Sequence, residues 1–452
     1  MPLPEQLFSP SSIAVIGASK TPDKIGYYIL ENLKMSFKGE LYPINPTIDQ
    51  ILGLKAYPSI LDIENPVDLA IIVVNAGIVP AVLAECITKK VKAVVVISAG
   101  FSEIGQKEKE EEIKKMIKGK IRLLGPNCLG IFSKELDMLF LPRKKLKRPP
   151  EGPIGIISQS GAVGTMLLDS VSFEGVGVSK FVSYGNAVDI NETDILEYFA
   201  KELGTRCIAL YIEDIKDGKR FVEVCQKITK NKPIVVLKGG KTKPGMSAVA
   251  THVGAMVSQP EIYSAAFKQS GIIEAQTIRE LFDYAKVLAD QPTLKDRKIA
   301  VVTNGGGFGI LAADALAKEG LEVPDLSKDT TKAIKAVLPA YSNARNPVDL
   351  IGDSNSERYE QALQLVFKDP NISGVMCCIL FQSPTLDDNI VDVMKNAKIY
   401  GKPIVVCAIG GEYSIERMRK LESYGIPVYT SPENAAKAMK VLQTYGEIIK
   451  KK

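Results

Sequence analysis

The only histidine in the chain is His252, within GGKTKPGMSAVATHVGAMVS at 239–258. Small and polar neighbours leave two readings for it: a reactive imidazole on a mobile loop, or a solvent-exposed bystander. What can stand beside it bears on the choice. Glu213 follows the apolar run IALYI at 208–212, and in a parallel sheet the carboxyl ends of the strands form the ligand edge. A carboxylate there can hold one ring nitrogen of a histidine, fixing the tautomer in which the other nitrogen attacks. The competing reading is a solvated loop acid in EDIKDGK, which is how the neighbours Asp214 and Asp217 are read. Ser160, Gly161 and Ala162, in ISQSGAVG, form a glycine turn into a helix. Ser160 is placed as the N-cap, and the helix start suits a phosphate or phosphoryl group. A second turn, Gly17, Ala18, Ser19, Lys20, follows the opening strand, and a third, TNGGGFG at 303–309, has close strand–helix packing as an equal alternative. A histidine, a carboxylate and phosphate-friendly turns, with no Ser/His/Asp order and no metal cluster, point to phosphoryl transfer through a phosphohistidine, the imidazole acting as nucleophile.

Elements that position such groups are visible along the whole chain. Its 452 residues suggest about three domains, and 46% hydrophobic against 24% charged residues is ordinary globular composition. No apolar run is long enough to cross a bilayer and no signal-type segment opens the chain, so a cytoplasmic protein is expected. Seven cysteines without a CxxC pair read as reduced, buried thiols, and a single histidine removes most nitrogen- or sulfur-based metal sites, so no metal is expected. The net charge of +5 is spread out except for PRKKLKRPP at 142–150, which reads as a solvated linker and not a nucleic-acid patch, since no aromatic residues interleave.

Strand-like runs alternate with helical patterns, the signature of parallel sheets with crossover helices. SSIAVIGAS (11–19), VDLAIIVVNA (67–76), VKAVVVISAG (91–100) and IRLLGPN (121–127) assign a first domain to 1–130, before a linker at 131–152. PIGIISQSGAVG opens a second domain at 153–290 and IAVVTNGGGFG a third at 291–452. The last two look like a duplication. CIALYIEDIKD (207–217) can be laid on VMCCILFQSPT (375–385), opposing Glu213 to Phe381 or Gln382, and KPIVVLKGG (232–240) on KPIVVCAIGG (402–411). Neither Glu213 nor His252 is copied in the third domain, which assigns the chemistry to the second. The opening turn lacks GxGxxG and no acid closes GELYPINP (39–46), which disfavours a nicotinamide enzyme and prefers another phosphate-bearing nucleotide.

With these motifs in view, the chain resembles the α subunits of archaeal ADP-forming acyl-CoA (acetyl-CoA) synthetases, with succinyl-CoA synthetase more distant. The resemblance rests on ASKTPDKIGYYILENL, ILGLKAYPSI, ISAGFSE and GPNCLGIF in the first domain and on ISQSGAVG, SYGNAVDINETDILEY and YIEDIKDGKRF in the second. The third adds VTNGGGFGILAADA, NPVDLIGD and GIPVYTSPENAAKAM. It implies an α/β chain with an N-terminal CoA-binding Rossmann-like domain followed by two flavodoxin-like, succinyl-CoA synthetase-type, doubly wound domains. The implied reaction is acyl-CoA + ADP + phosphate to carboxylic acid + CoA + ATP, through an acyl phosphate and a phosphohistidine.

By that resemblance His252 is the phosphorylated residue, Glu213 orients it, and Ser160, Gly161 and Ala162 hold the phosphoryl group. Gly17, Ser19, Lys20, Val74, Asn75 and Asn127 match CoA-binding positions, and Asn186 lies near the acyl site. Val253 after the histidine, Asp214 after Glu213, and Asn75 where proline is common depart from the family pattern, and acetate is the expected acid. Nothing in the chain looks like an ATP-grasp domain, so the resemblance implies a β subunit that carries it and binds most of the ADP or ATP with Mg, in an α2β2 assembly. A CoA-binding regulatory or scaffold protein without catalysis is the alternative from another class.

Overall fold

The computed structural model describes residues 2–253 and 259–450, with the side chains of 251–253 outside the described set. It forms two compact bodies, residues 1–173 with 178–276 and residues 174–177 with 277–452. Both are built on buried parallel strands. β1 (Ser12–Ile16) and β5 (Leu69–Ile72) are buried at every position. That is why these segments read as continuous apolar runs and not as alternating ones.

The first domain orders α1 (Ile25–Ser36), β2 (Glu40–Ile44), a small hairpin of β3 (Gln50–Ile51) and β4 (Leu54–Lys55), α2 (Val79–Thr88), β6 (Ala93–Val96), α3 (Lys107–Ile117) and β7 (Arg122–Leu124) around those two strands. Its sheet runs β2-β1-β5-β6-β7, all parallel. The second domain contains β8 (Gly130–Phe132), β9 (Glu151–Ser158), α4 (Gly161–Glu174), β10 (Val178–Ser183), α5 (Glu192–Lys201), β11 (Cys207–Ile212) and α6 (Gly218–Ile228). It continues with β12 (Ile234–Lys238), α7 (Lys243–Val253), α8 (Pro260–Ser270) and β13 (Ile273–Ala275) in the sheet β13-β12-β11-β9-β10-β8.

The other body holds α9 (Ile278–Asp290), β14 (Ile299–Thr303), α10 (Gly306–Lys318), α11 (Lys328–Val337), β15 (Val348–Asp349), α12 (Ser356–Lys368) and β16 (Gly374–Ile379). α13 (Ile390–Asn396), β17 (Ile404–Ala408), α14 (Glu412–Ser423), β18 (Val428–Tyr429) and α15 (Pro432–Lys450) complete it, in the sheet β15-β14-β16-β17-β18. Inside this body Lys286 is buried and donates to Glu422 at 2.8 Å and Glu174 at 3.1 Å.

Counting parallel strands only, and so leaving out the antiparallel edge strand β8 of the second domain, each domain has the strand order 2-1-3-4-5, the flavodoxin order, which is also the Rossmann order without its outermost strand. The order reverses between β1 and β5, between β9 and β11, and between β14 and β16. Those three points are where open α/β sheets bind ligands.

Two expectations change. The segment 131–152, read as a solvated linker, begins with β8, which pairs antiparallel with β10 through Phe132 and Phe181. It then buries Asp137 completely, with Arg143 at 2.7 Å and Arg148 at 2.9 Å donating to its Oδ2. Asn32 of α1 donates to the carbonyl of Leu139 at 2.6 Å. An acid five residues before the basic run supplies the countercharge that the run alone hid. The second change concerns His252: its backbone belongs to the helix α7, not to a loop. Thr242 Oγ1 accepts from the Gly245 N–H at 3.2 Å, and Pro244 stands in the first turn, so a helix start outweighs the glycine content.

Candidate active site in a cavity at the strand ends

β9 brings Ser158 to the carboxyl edge of the second sheet, where its hydroxyl donates to the Ser160 carbonyl at 2.6 Å. α4 then starts at Gly161, and Ser160 Oγ accepts from the Val163 N–H at 3.4 Å, the cap expected from the sequence. The first-turn N–H groups of α4 lack intrahelical acceptors and lie at the positive end of its dipole, which favours an anion.

The neighbouring strand, β11, delivers Glu213 across the switch point. The residue is 6% exposed and its Oε1 accepts from the Tyr211 hydroxyl at 3.2 Å. Gln159, also buried, fixes the backbone there. Its Oε1 accepts from the N–H groups of Glu213 at 2.7 Å and Asp214 at 3.1 Å, and from the Tyr184 hydroxyl at 3.3 Å. Asp214 is not simply a solvated acid, since the Tyr263 hydroxyl donates to it at 2.9 Å, and Asp217 caps α6 by accepting from the Arg220 N–H at 3.0 Å. Lys238, at the end of β12, is buried 4.6 Å from the centre of the Tyr263 ring. Burial pulls its pKa down, with Asp214 and Glu213 acting in the opposite sense.

The SYGN loop and the first domain complete the surround. Gly185 has φ +60°, and a Cβ on it would stand 2.2 Å from the Pro126 carbonyl oxygen, so only glycine lets this loop lie against 126–127. Asn186 Nδ2 donates to Glu103 at 2.7 Å and Ser102 at 3.2 Å, while its Oδ1 accepts from Asn127 Nδ2 at 3.2 Å. Lys216 ties the same loop down by donating to the carbonyls of Asn186 and Ala187, both at 2.8 Å. Burial pushes the Glu103 carboxyl up, but hydrogen bonds from the Gly100 N–H, the Asn186 amide and the Phe101 N–H outweigh it and hold the group below its ordinary range. Asn75 Oδ1 accepts from the Gly77 N–H at 3.0 Å, a local turn available to asparagine and not to proline.

Part of this set faces one cavity of about 770 Å³, within the size range of small-molecule sites. Val74, Asn75 and Asn127 line it, as do Ser160, Gly161, Ala162, Asn186 and Glu213, with apolar walls from Val73, Ile97, Leu129 and Phe140. Gly17, Ser19 and Lys20 do not. Gly17 adopts φ +93° with Val73 O 2.8 Å from where a Cβ would sit, Ser19 accepts from the Thr21 N–H at 3.0 Å, and Lys20 is exposed. That turn reaches the cavity through Ile25, the first residue of α1. The His252 side chain lies outside the described residues. Its helix α7 packs against the 3-10 turn Ser102–Ile104, whose Ser102 lines the cavity. Gln159 and Lys238 were not singled out from sequence. Gln159 was legible as the residue after a strand in a glycine turn, whereas Lys238 read as part of an apolar run. Among the described residues no group of three or more His, Cys, Asp or Glu could hold a metal ion, and no helix is long and apolar enough to cross a membrane.

Doubly wound domains with a helix N-terminus and a buried carboxylate at one switch point place the chain among the open α/β proteins that carry a ligand cavity at their strand ends. Family profiles divide the chain in the same way: a CoA binding domain at 11–134, a succinyl-CoA ligase like flavodoxin domain at 151–288 and a ligase-CoA domain at 299–445. The acetate–CoA ligase [ADP-forming] of Methanocaldococcus jannaschii is 43% identical over 97% of this chain, which spans 62% of that relative's length. The acetate–CoA ligase [ADP-forming] II subunit alpha of Pyrococcus furiosus is 40% identical over 96% of both chains. Among solved structures, acetyl-coenzyme A synthetase 1 of Ca. Korarchaeum cryptofilum, described as dinucleotide forming and in complex with phosphate and ADP, superposes with a TM-score of 0.91 at 36% identity. The match covers 99% of this chain and 98% of that one. The chain belongs to the ADP-forming acetate–CoA ligase family, and it corresponds to the alpha subunit where that family is divided into subunits.

Proposed function

We propose that this chain is the acyl-transferring, phosphorylated part of an ADP-forming acyl-CoA ligase, with acetate as the acid. The observation that carries this reading is a single cavity onto which the α4 N-terminus, Glu213, Asn186, Asn75 and Asn127 all open. The acyl thioester of CoA enters beside Val74, Asn75 and Asn127, with Gly17, Ser19 and Lys20 engaging the outer part of CoA. Phosphate sits at Ser160, Gly161 and Ala162. A phosphate oxygen attacks the thioester carbonyl, the carbon–sulfur bond breaks, and CoA leaves as the thiolate. His252 attacks the phosphorus of the resulting acyl phosphate, and the carboxylic acid leaves as its anion. Glu213 orients the imidazole through its other nitrogen and balances the positive charge that the ring develops. The helix dipole at Gly161 stabilises the transferring phosphoryl oxygens.

The phosphoryl group then passes to ADP. We assign the nucleotide, with Mg, mainly to an ATP-grasp β subunit in an α2β2 assembly, and the relatives named as alpha subunits support a separate partner chain. Seven buried free thiols suit a reducing, cytoplasmic compartment. The test is the intact mass of the chain after incubation with acetyl-CoA and phosphate, followed by peptide mapping under alkaline conditions that preserve phosphohistidine. Phosphate on His252 supports the reading. Its absence both from the chain alone and from the chain co-expressed with its partner would leave a CoA-binding protein without catalysis.

A further inference from the structure

Gln159 has an amide whose two ends face different tasks. Two backbone N–H groups, those of Glu213 and Asp214, converge on one side-chain atom of Gln159 at 2.7 and 3.1 Å. Only an acceptor can sit there, so the amide orientation is fixed with Oε1 toward the loop. The –NH2 end is left as a pair of donors without a hydrogen-bond partner among the described residues, on a side chain that is 7% exposed and lines the cavity.

The third domain shows the same position where Leu380 replaces the carboxylate. Its β14 ends at Thr303, whose hydroxyl donates to the Gly305 carbonyl as that of Ser158 does to Ser160. Tyr211 pairs with Ser158, and Cys378 with Thr303. Glu213 and Leu380 are therefore structural equivalents, and Leu380 lies one residue before Phe381 and two before Gln382, which the sequence alignment opposes to Glu213. Asn304 stands where Gln159 does, and its Oδ1 accepts from the Leu380 N–H at 2.8 Å. Being one methylene shorter, its amide also turns its Nδ2 back onto the Leu380 carbonyl at 3.1 Å. Each end of the amide is thus engaged by the backbone of one residue, Leu380. In the second domain the longer side chain keeps the loop bond and frees the donors.

We propose that Gln159 is a further catalytic residue whose Nε2 donates to an oxygen of the phosphoryl group during its passage to the imidazole, while its Oε1 positions Glu213. The inference rests on the phosphohistidine reading above. A donor fixed in a buried site needs no reorganisation as charge develops on the oxygens, and removing one such donor costs about 10²–10³-fold in rate.

The test follows phosphorylation of His252 by acetyl-CoA and phosphate in wild type, Gln159→Glu and Gln159→Asn, with the thermal midpoint of each. Glutamate keeps an acceptor for both N–H groups and loses the donors. Asparagine is neutral, keeps an amide and retracts it as in the third domain. Both variants are expected to slow phosphorylation at least about 10-fold, with Gln159→Glu still folded but melting below wild type because it buries a second carboxylate next to Glu213. A wild-type rate in either folded variant overturns the donor role and leaves Gln159 as a loop prop, with the phosphohistidine reading intact. Absence of phosphate from the wild type, with and without its partner, overturns that reading and this proposal together.

Discussion

At the scale of single residues, the cavity is organised around a buried carboxylate, Glu213, whose backbone is set by one amide and whose side chain is reached by Tyr211. Glu213→Gln retains an acceptor for the Tyr211 hydroxyl but removes the negative charge, so the fold is kept. Stopped-flow or quench measurement of His252 phosphorylation should show a loss of roughly 10²-fold, the usual scale for losing a partner that orients and charges an imidazole. His252→Ala removes the nucleophile and should abolish phosphorylation with CoA affinity unchanged, since Val74, Asn75 and Asn127 keep their places. Equal loss of CoA binding by calorimetry, in a folded variant, would separate the histidine from the role assigned to it.

At the scale of elements, the loop that carries Asn186 continues to Asp189 and α5, and Arg122 of β7 pins both. Its guanidinium donates to Asp189 at 2.8 Å and Asp194 at 2.7 Å, and the Leu123 N–H also reaches Asp189 at 2.8 Å. Arg122→Met leaves the partly exposed Asp189 without its countercharge while Asp194 keeps Arg220 at 2.7 Å, and denaturant unfolding should show a loss of about 1–3 kcal/mol. At the start of α5, burial raises the Glu192 carboxyl to about 7 from 4.5. A raised carboxylate pKa means that the folded state holds the proton more tightly. Its contribution is complete below pH 4.5 and is lost as pH rises through 7, on the order of 3 kcal/mol in all. Glu192→Gln removes that dependence. The variant should melt with the wild type near pH 4.5 and above it at pH 8, and parallel melting curves across this window would place the Glu192 titration elsewhere.

At the scale of the whole molecule, three copies of one strand order serve different ends. The first offers the ends of β5 and β6 to the cavity, the second supplies the helix start and carboxylate, and the third has Leu380 in place of the carboxylate, with the Asn304 amide bonded to its backbone. The proposed division of labour makes a further prediction. Purified alone, the chain should accept phosphate from acetyl-CoA and phosphate without making ATP from added ADP, and co-expression with an ATP-grasp partner should restore ATP formation in a coupled assay. ATP formation by the chain alone would place the nucleotide site within these residues.

The sequence by itself determined the three domains and the strand ends that carry Gly161 and Glu213, because buried parallel strands are unbroken apolar runs and a helix start after a strand needs small, capping residues. It also singled out His252 by its rarity. The pairing of Gln159 with the Glu213 backbone, the burial of Asp137 against Arg148, and the register that opposes Glu213 to Leu380 were decided only by tertiary structure. Each depends on which groups distant in sequence, or which strands, come to lie side by side, and residue type and periodicity carry no record of that neighbourhood.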